Sequence, residues 1–300
     1  MMNKYHNPVL LKETVDGLNI IENGTYVDVT FGGGGHSKEI LKRLGKHGRL
    51  LAFDQDQDAL LNKIDDSRFT LINENFRYVK RFLKFHGVMS IDGILADFGV
   101  SSHQFDVPER GFSTRFEANL DMRMNQQETL SAFHVINEYD EERLRQIFWN
   151  YGELRNAPIL ARMITTARKD NVIVTSEQLK SILNKCLLAR RENKILAQIY
   201  QAIRIEVNQE IDVLKEFLLQ TPDILKQGAR LSFISYHSLE DRLVKRFIRN
   251  GLFEGEPEKD IFGNVSVPLK KVGKLIIPSQ DEIKLNNRAR SARLRVAEKV

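Results

Sequence analysis

The chain has 300 residues, with 45 lysines and arginines against 40 aspartates and glutamates, a formal net charge of +5. This length exceeds that of one ordinary domain, so we expect one large domain with an insertion, or two domains. The single cysteine, Cys186, excludes an internal disulfide and suits a reducing compartment. No apolar run reaches membrane-spanning length and no secretory signal opens the sequence, so we expect a cytoplasmic protein. The positive charge favours an acidic partner.

A β-branched and aromatic run over residues 26–31 leads into four glycines, Gly32 to Gly35, and then into a helical pattern that starts near His36. This order predicts a strand, a tight loop and a helix. Glycines let the backbone turn sharply, and a helix start offers free N–H groups and a positive dipole end. The segment therefore suits a small molecule with a carboxylate or a phosphate. A turn without any ligand stays the alternative.

An acid, Asp54, follows the next predicted strand, residues 49–53. A carboxylate there can accept hydrogen bonds from ribose hydroxyls. The two features predict a nucleoside-cofactor site in a doubly wound, Rossmann-like α/β sheet. The dinucleotide fingerprint G-x-G-x-x-G/A is incomplete, because its last position falls on Ser37 or Lys38. S-adenosylmethionine fits better, with its methionine carboxylate at the helix start and its ribose at Asp54.

Alternating acids after Asp54 are also compatible with a calcium loop. An EF-hand loop needs glycine at its sixth position and glutamate at its twelfth, where this chain has Ala59 and Asp65. We therefore expect no metal here and predict a helix N-cap with solvated acids.

Two further candidates follow later strands. Phe76 comes after the predicted strand 69–72, where it could flank an adenine ring or belong to the core. Asp97 ends the predicted strand 91–97, and ligands of open α/β sheets lie beyond such strand ends. Its carboxylate can accept hydrogen bonds from an exocyclic amine such as cytosine N4, or it can cap a helix.

The pattern changes after residue 105. Residues 128–207 have helical patterns only, with Phe148 and Trp149 predicted in their core, and a long amphipathic helix continues from about residue 201 to residue 218. The α/β pattern then resumes with a strand at 229–235. We predict a first catalytic-domain part (1–105), a helical insert for substrate recognition (106–207) and a second part (208–300) with a mobile loop near 251–280.

Eight separate motifs resemble the bacterial ribosomal RNA small subunit methyltransferase H family over nearly the whole chain. They are residues 6–10 (HNPVL), 30–37 (TFGGGGHS), 97–106 (DFGVSSHQFD), 110–113 (RGFS), 120–124 (LDMRM), 201–205 (QAIRI), 237–242 (HSLEDR) and 287–292 (NRARSA).

The resemblance implies a class I methyltransferase that uses S-adenosylmethionine to methylate N4 of a cytidine in the decoding centre of 16S rRNA, near position 1402, on the small ribosomal subunit. It implies cofactor contacts at Gly34, Gly35, His36, Asp54, Phe76, Asp97 and Gln104, of which Gln104 comes from the resemblance alone. Asp97 is the candidate catalytic residue. Candidate phosphate contacts are Arg110, Arg123, Arg242, Arg290 and Arg293. The sequence leaves the oligomeric state open, and a homodimer is one of the alternatives.

Three other functions compete with this one. The chain could methylate another substrate, such as DNA or protein. It could be a ribosome-assembly or RNA-binding protein that holds a nucleoside without catalysis. An NAD-dependent dehydrogenase is disfavoured, because the third glycine of the fingerprint is missing.

Overall fold

The computed structural model describes residues 8–184, 192–257, 262 and 265–300. Its strands are β1 (Thr25–Asp28), β2 (Arg49–Phe53), β3 (Phe69–Ile72), β4 (Ile91–Asp97), β5 (Leu225–Ser235), β6 (Leu269–Ile276) and β7 (Arg293–Lys299). Its α-helices are α1 (Leu11–Gly17), α2 (Gly35–Arg43), α3 (Val79–Phe85), α4 (Ser102–Asp106), α5 (Ala132–Glu138), α6 (Glu141–Asn150), α7 (Ala157–Ala167), α8 (Ser176–Asn184), α9 (Glu192–Asn208), α10 (Glu210–Ile224), α11 (Ser238–Asn250) and α12 (Gln280–Leu285). Short 3-10 turns lie at Gln57–Asn62, Phe76–Tyr78, Pro108–Arg110 and Asn287–Ser291.

The strands form one sheet in the order β3-β2-β1-β4-β5-β7-β6. Strands β1 to β5 run parallel, whereas β7 is antiparallel to both of its neighbours, β5 and β6. The strand order reverses between β1 and β4, and ligands of open α/β sheets bind at such a reversal, beyond the carboxyl ends of the strands. The predicted doubly wound, Rossmann-like α/β sheet is confirmed.

The central strands are buried on both faces, as parallel strands covered by helices should be. Val27 and Leu51 point to the face that α3, α10 and α11 cover. Their neighbours Tyr26 and Leu50 point to the opposite face, which α1 and α2 cover. This alternation follows from the two-residue period of a strand. It fixes which helices surround the carboxyl ends of β1 and β4.

The chain divides into two compact units, residues 1–99 with 211–300, and residues 100–210. The first holds the sheet. The second holds α4 to α9 around an apolar core of its own. Phe148 is buried in that core, but the prediction that Trp149 joins it is wrong, because successive helix positions point about 100° apart. The Trp149 side chain is 57% exposed.

Two local predictions also need correction. The long helix across residues 201–218 is interrupted at Gln209, whose φ of 51° is left-handed, so α9 ends before it and α10 begins after it. The predicted mobile loop near 251–280 contains β6, which pairs with β7 because Val272 and Ile276 pack against apolar residues. Residues 258–261 and 263–264 of that loop lie outside the described residues.

Among the described helices, none is long and apolar enough to cross a membrane.

Candidate active site

The glycine loop links β1 to α2 through a left-handed backbone. Gly32 has a φ of 50° and Gly34 a φ of 75°, and the Gly34 N–H donates to the Phe31 carbonyl at 2.7 Å. Gly34 is the N-cap of α2 and brings no side chain to cap it. The first N–H groups of a helix have no partner within the helix. The start of α2 therefore has N–H donors that an anionic group could use, and binding of such a group there stays a prediction.

Packing against the protein itself also requires glycine at Gly34 and Gly35. A Cβ at Gly34 would lie 2.8 Å from the ring of Phe31, and a Cβ at Gly35 would lie 2.1 Å from Cγ of Pro8. Both distances are below van der Waals contact. The glycines are therefore explained partly by the close packing of the loop, a reason that the sequence pattern could not separate from ligand approach.

The segment that precedes α1 holds the glycine loop from outside. Pro8 packs on Gly35, and Nε2 of His36 donates to the Val9 carbonyl at 3.2 Å. The Leu10 N–H donates to Oε1 of Glu282, at the start of α12, at 2.7 Å. Three consecutive residues thus tie the start of α2 to a helix far along the chain.

Asp54 follows β2 and orders the same loop. Its Oδ2 accepts the Gly32 N–H at 2.7 Å, and its Oδ1 accepts the Asp56 N–H at 2.9 Å. Burial raises the pKa of Asp54 to about 6, against the lowering effect of these two hydrogen bonds. A carboxylate has about four lone-pair sites, so Asp54 retains acceptors for ribose hydroxyls. Of the acids that follow, Asp56 is the N-cap of the 3-10 turn, as the sequence predicts, but it is buried and not solvated.

Asp97 lies at the carboxyl end of β4, beside the strand-order reversal. Its N–H donates to Oγ1 of Thr30 at 2.6 Å, and its Oδ1 accepts the hydroxyl of Tyr236 at 2.8 Å. Its Oδ2 lies 3.9 Å from Nδ1 of His36. The alternative role as a helix cap is wrong, because Ser101 caps the helix that follows. Burial raises the pKa of Asp97 to about 7, and the hydrogen bond from Tyr236 opposes that rise.

His36 is neutral in this setting. Burial lowers its pKa to about 4, although the hydrogen bond to the Val9 carbonyl favours the charged form. Since Nε2 carries the proton that it donates to Val9, Nδ1 is unprotonated where it faces Asp97. His36 and Asp97 therefore do not form an ion pair at neutral pH, although their side chains are close.

The sequence reading did not identify Asp28 and Tyr236 as site residues. Asp28 ends β1 and is fully buried, where it accepts hydrogen bonds from the Ser37 hydroxyl at 2.7 Å and the Thr30 N–H at 3.1 Å. Burial raises its pKa to about 6. Asp28 could have been predicted as a site residue from the sequence, because it is an acid that ends an apolar strand just before the glycine loop. Tyr236 follows β5, the neighbour of β4, so sheet order was needed to find it.

Phe76 begins the 3-10 turn after β3 and is half-buried. Its ring centroid lies 5.2 Å from that of Phe217, edge to face, and 6.1 Å from that of Phe98. Phe98 itself is buried. Phe76 therefore belongs to an aromatic cluster with part of its ring exposed, which is compatible with both roles predicted for it.

Three of the remaining candidates lie in the helical unit. Gln104 forms a capping box with Ser101, with its Oε1 accepting the Ser101 N–H at 2.9 Å. Arg110 is only 2% exposed and donates from Nη2 to the carbonyls of Arg123 and Met124. Arg123 donates to both carboxylate oxygens of Asp121. Because the Arg110 side chain is buried and already donates to backbone carbonyls, we leave it out of the proposed phosphate contacts.

The other three arginines lie in the sheet unit. Arg242 is exposed on α11, and Arg290 is exposed in the 3-10 turn before β7. Arg293, which begins β7, is 52% exposed and donates from Nη1 to Oδ2 of Asp241 at 3.1 Å. All three expose surface that a phosphate could reach.

The raised pKa values of Asp28, Asp54 and Asp97 make a prediction about stability. An acid whose pKa is higher in the folded state binds more protons there, so its contribution to the free energy of unfolding falls as pH rises from about 4 to its folded pKa. We expect Asp28→Asn, which cannot titrate, to gain about 1 kcal/mol relative to wild type between pH 5 and pH 7.5. Urea denaturation at both pH values measures this. The exposed Asp281→Asn is the control, and Asp28→Asn paralleling wild type would contradict the pKa assignment.

Comparisons with known proteins identify the family of this chain. The family model of the MraW methylase family matches residues 3–300. Proteins named ribosomal RNA small subunit methyltransferase H are 72% identical in Christiangramia forsetii and 69% in Flavobacterium johnsoniae, each over 99% of this chain and 98% of the relative. In Bacteroides fragilis the identity is 54%, over 98% of this chain and 97% of the relative. An rRNA methylase structure from Streptococcus thermophilus has a TM-score of 0.44 at 11% identity, over 100% of this chain and 99% of that one.

The sheet has the Rossmann-like α/β order, and the family match shows an S-adenosylmethionine-dependent methyltransferase. The match over residues 3–300 and the identities of 54% to 72% show the family. The chain belongs to the MraW methylase family.

Proposed function

We propose that this protein transfers the methyl group of S-adenosylmethionine to N4 of a cytidine in the decoding centre of 16S rRNA, on the small ribosomal subunit in the cytoplasm. The names of its relatives support the ribosomal substrate. The observation that carries the chemistry is Asp97, an acid at the carboxyl end of β4 with Oδ1 held by Tyr236. Among the described residues, no hydrogen bond reaches its Oδ2.

The proposed reaction needs an acceptor for one proton. The cytosine N4 lone pair is delocalised into the ring, so the amine must be positioned in line with the methyl group and relieved of a proton as the N–C bond forms. Bound S-adenosylmethionine would supply the methyl group, with cleavage of its S–C bond balancing formation of the N–C bond. Asp97 accepts the N4 proton through Oδ2. A pKa of about 7 suits such a base, because general bases work best near the operating pH.

The cofactor contacts follow from the donors and acceptors already described. The N–H groups at the start of α2, from Gly35 and His36 after the Gly34 N-cap, bind the methionine carboxylate. Asp54 accepts the ribose hydroxyls, and the exposed part of Phe76 flanks the adenine. Gln104 is proposed on the resemblance of its motif. The chain's own residues thus offer partners for the methionine carboxylate, the ribose and the adenine of the cofactor.

A basic face of α11 supports contact with RNA phosphates. Arg242, Lys245 and Arg249 are exposed at i, i+3 and i+7, so they share one side of the helix. Arg290 and Arg293 are further candidates in the same unit, and Arg123 is one in the helical unit. Positive charge on one face is the electrostatic requirement for binding a nucleic-acid backbone.

We expect Lys245→Gln/Arg249→Gln to weaken RNA binding and to reduce its salt dependence. Each phosphate contact contributes about 0.7 to 0.9 to the slope of log affinity against log salt, so losing two should lower the slope by about 1.4 to 1.8. Anisotropy of a labelled decoding-centre RNA across a KCl series measures it. Lys42→Gln/Lys284→Gln removes two lysines that are 74% and 75% exposed elsewhere, and is the control. An unchanged slope in the α11 variant would exclude that face.

The decisive experiment transfers labelled methyl from S-adenosylmethionine to small subunits that lack the modification, followed by nucleoside mass spectrometry. Free 16S rRNA and duplex DNA are assayed alongside. The proposal expects N4-methylcytidine in small-subunit rRNA. Transfer of label to DNA alone would show that the substrate is DNA and not rRNA, while methyl transfer itself would still be supported. No transfer to any substrate, with S-adenosylhomocysteine still bound, would favour the non-catalytic assembly factor.

A further inference from the structure

Tyr236 is fixed in place by its own surroundings. It follows β5, two residues beyond Ile234, which pairs with Asp97 in the sheet. Its N–H donates to Oε2 of Glu240 at 2.9 Å, and Glu240 also closes the capping box at the start of α11. The ring of Tyr236 lies 3.7 Å from where a Cβ would stand on Gly99. These contacts hold the backbone and the ring of Tyr236 in place, so the position of its hydroxyl beside Asp97 is fixed.

The hydroxyl donates in this contact whenever Asp97 is ionised. Burial raises the pKa of Tyr236 well above 10, so the phenol keeps its proton, and the Asp97 carboxylate is an acceptor. The bond at 2.8 Å occupies Oδ1 and fixes the plane of the carboxylate. Oδ2 is then held in one position.

We propose that Tyr236 is a positioning residue for methyl transfer, whose hydroxyl holds Oδ1 of Asp97, keeps the carboxylate ionised and presents Oδ2 to the amine of the substrate. This inference rests on the proposed function of Asp97. It assigns a specific task to a side chain outside the cofactor and phosphate contacts.

The charges around Asp97 explain why such a donor is needed. Asp28 and Glu240 are nearby acids that raise the pKa of Asp97, in addition to burial. His36 faces it at 3.9 Å as a neutral ring, so it supplies no compensating charge. Among the groups of the described residues that act on Asp97, the Tyr236 hydroxyl is the one that lowers its pKa. Without it, Asp97 would hold its proton to higher pH and its carboxylate could rotate.

The test is the pH dependence of kcat and KM for Tyr236→Phe, measured with unmodified small subunits. We expect the acidic limb of the kcat profile to move up by about 0.5 to 1 pH unit. At neutral pH kcat falls about tenfold and recovers partly at alkaline pH, whereas KM for S-adenosylmethionine stays within about twofold. Tyr26→Phe is the matched control. It removes a hydroxyl that accepts the Ile21 N–H at the opposite end of the sheet, so it should lower Tm without moving the limb.

A Tyr236→Phe profile with the wild-type midpoint overturns the inference, whatever the loss of rate. If the wild-type protein methylates no RNA, the proposed function fails and the inference is tested without substrate. NMR titration of the Asp97 carboxyl carbon then compares wild type with Tyr236→Phe. An upward shift of the Asp97 pKa in the variant supports the coupling, and an equal pKa removes it.

Discussion

Asp97→Asn is expected to lower kcat for methyl transfer by about a hundredfold or more, with the affinity for S-adenosylhomocysteine nearly unchanged. The amide keeps the shape of the carboxylate and can still accept the Tyr236 hydroxyl through its oxygen. It cannot take a proton from the amine of the substrate. The effect should therefore appear in the chemical step and spare cofactor binding. Single-turnover transfer to unmodified small subunits, with calorimetry of S-adenosylhomocysteine, separates the two.

Asp281→Asn is the matched control, because Asp281 is 87% exposed on α12 and pairs with the surface lysine Lys284. It should transfer at the wild-type rate. Asp97→Asn working at that rate would remove Asp97 from proton transfer. A loss confined to S-adenosylhomocysteine affinity would instead make Asp97 a cofactor-binding residue.

Gly34→Ala is expected to destabilise the protein by about 2 to 4 kcal/mol and to weaken S-adenosylhomocysteine binding at least about tenfold. Part of the cost is the left-handed φ of 75°. The rest is the contact at 2.8 Å between the new Cβ and the ring of Phe31. Relieving that contact moves the N-cap of α2, and with it the N–H donors. Urea denaturation and calorimetry measure the two effects.

Gly87→Ala is the control that separates the cost of a left-handed backbone from the cost of the contact with Phe31. Gly87 has a φ of 70°, but a Cβ there would meet no described atom within 4 Å. It should therefore cost about 1 kcal/mol, with binding unchanged. Equal losses in the two variants would mean that the ring of Phe31 yields freely and that the loop is not packed tightly around Gly34.

Local patterns predicted those parts of the site that lie next to a strand end. The glycine loop, Asp54 and Asp97 each follow an apolar strand, so periodicity and turn chemistry sufficed to place them at one edge of a sheet. β6 was missed because lysines and a glycine obscure its alternation. Trp149 was misjudged because helical periodicity decides burial only when the phase of the helix is known.

Other features depend on contacts between residues far apart in sequence. The hydrogen bond between Tyr236 and Asp97 spans 139 residues, including the whole helical unit, and only the adjacency of β4 and β5 brings the pair together. Arg110 has the charge of a phosphate contact, yet folding directs it to buried carbonyls. Composition cannot distinguish such an arginine from an exposed one.

The segment of Pro8 to Leu10 has a consequence for biosynthesis. Its backbone contacts the start of α2 on one side and Glu282 on the other, across 272 residues of sequence. During translation, Pro8 and the glycine loop leave the ribosome long before Glu282 is made. The hydrogen bond between Leu10 and Glu282 can therefore form only when nearly the whole chain has emerged. Until α12 has been made, a nascent chain lacks the Glu282 carboxylate to which the Leu10 N–H donates, so this anchor of the segment is among the last contacts to form.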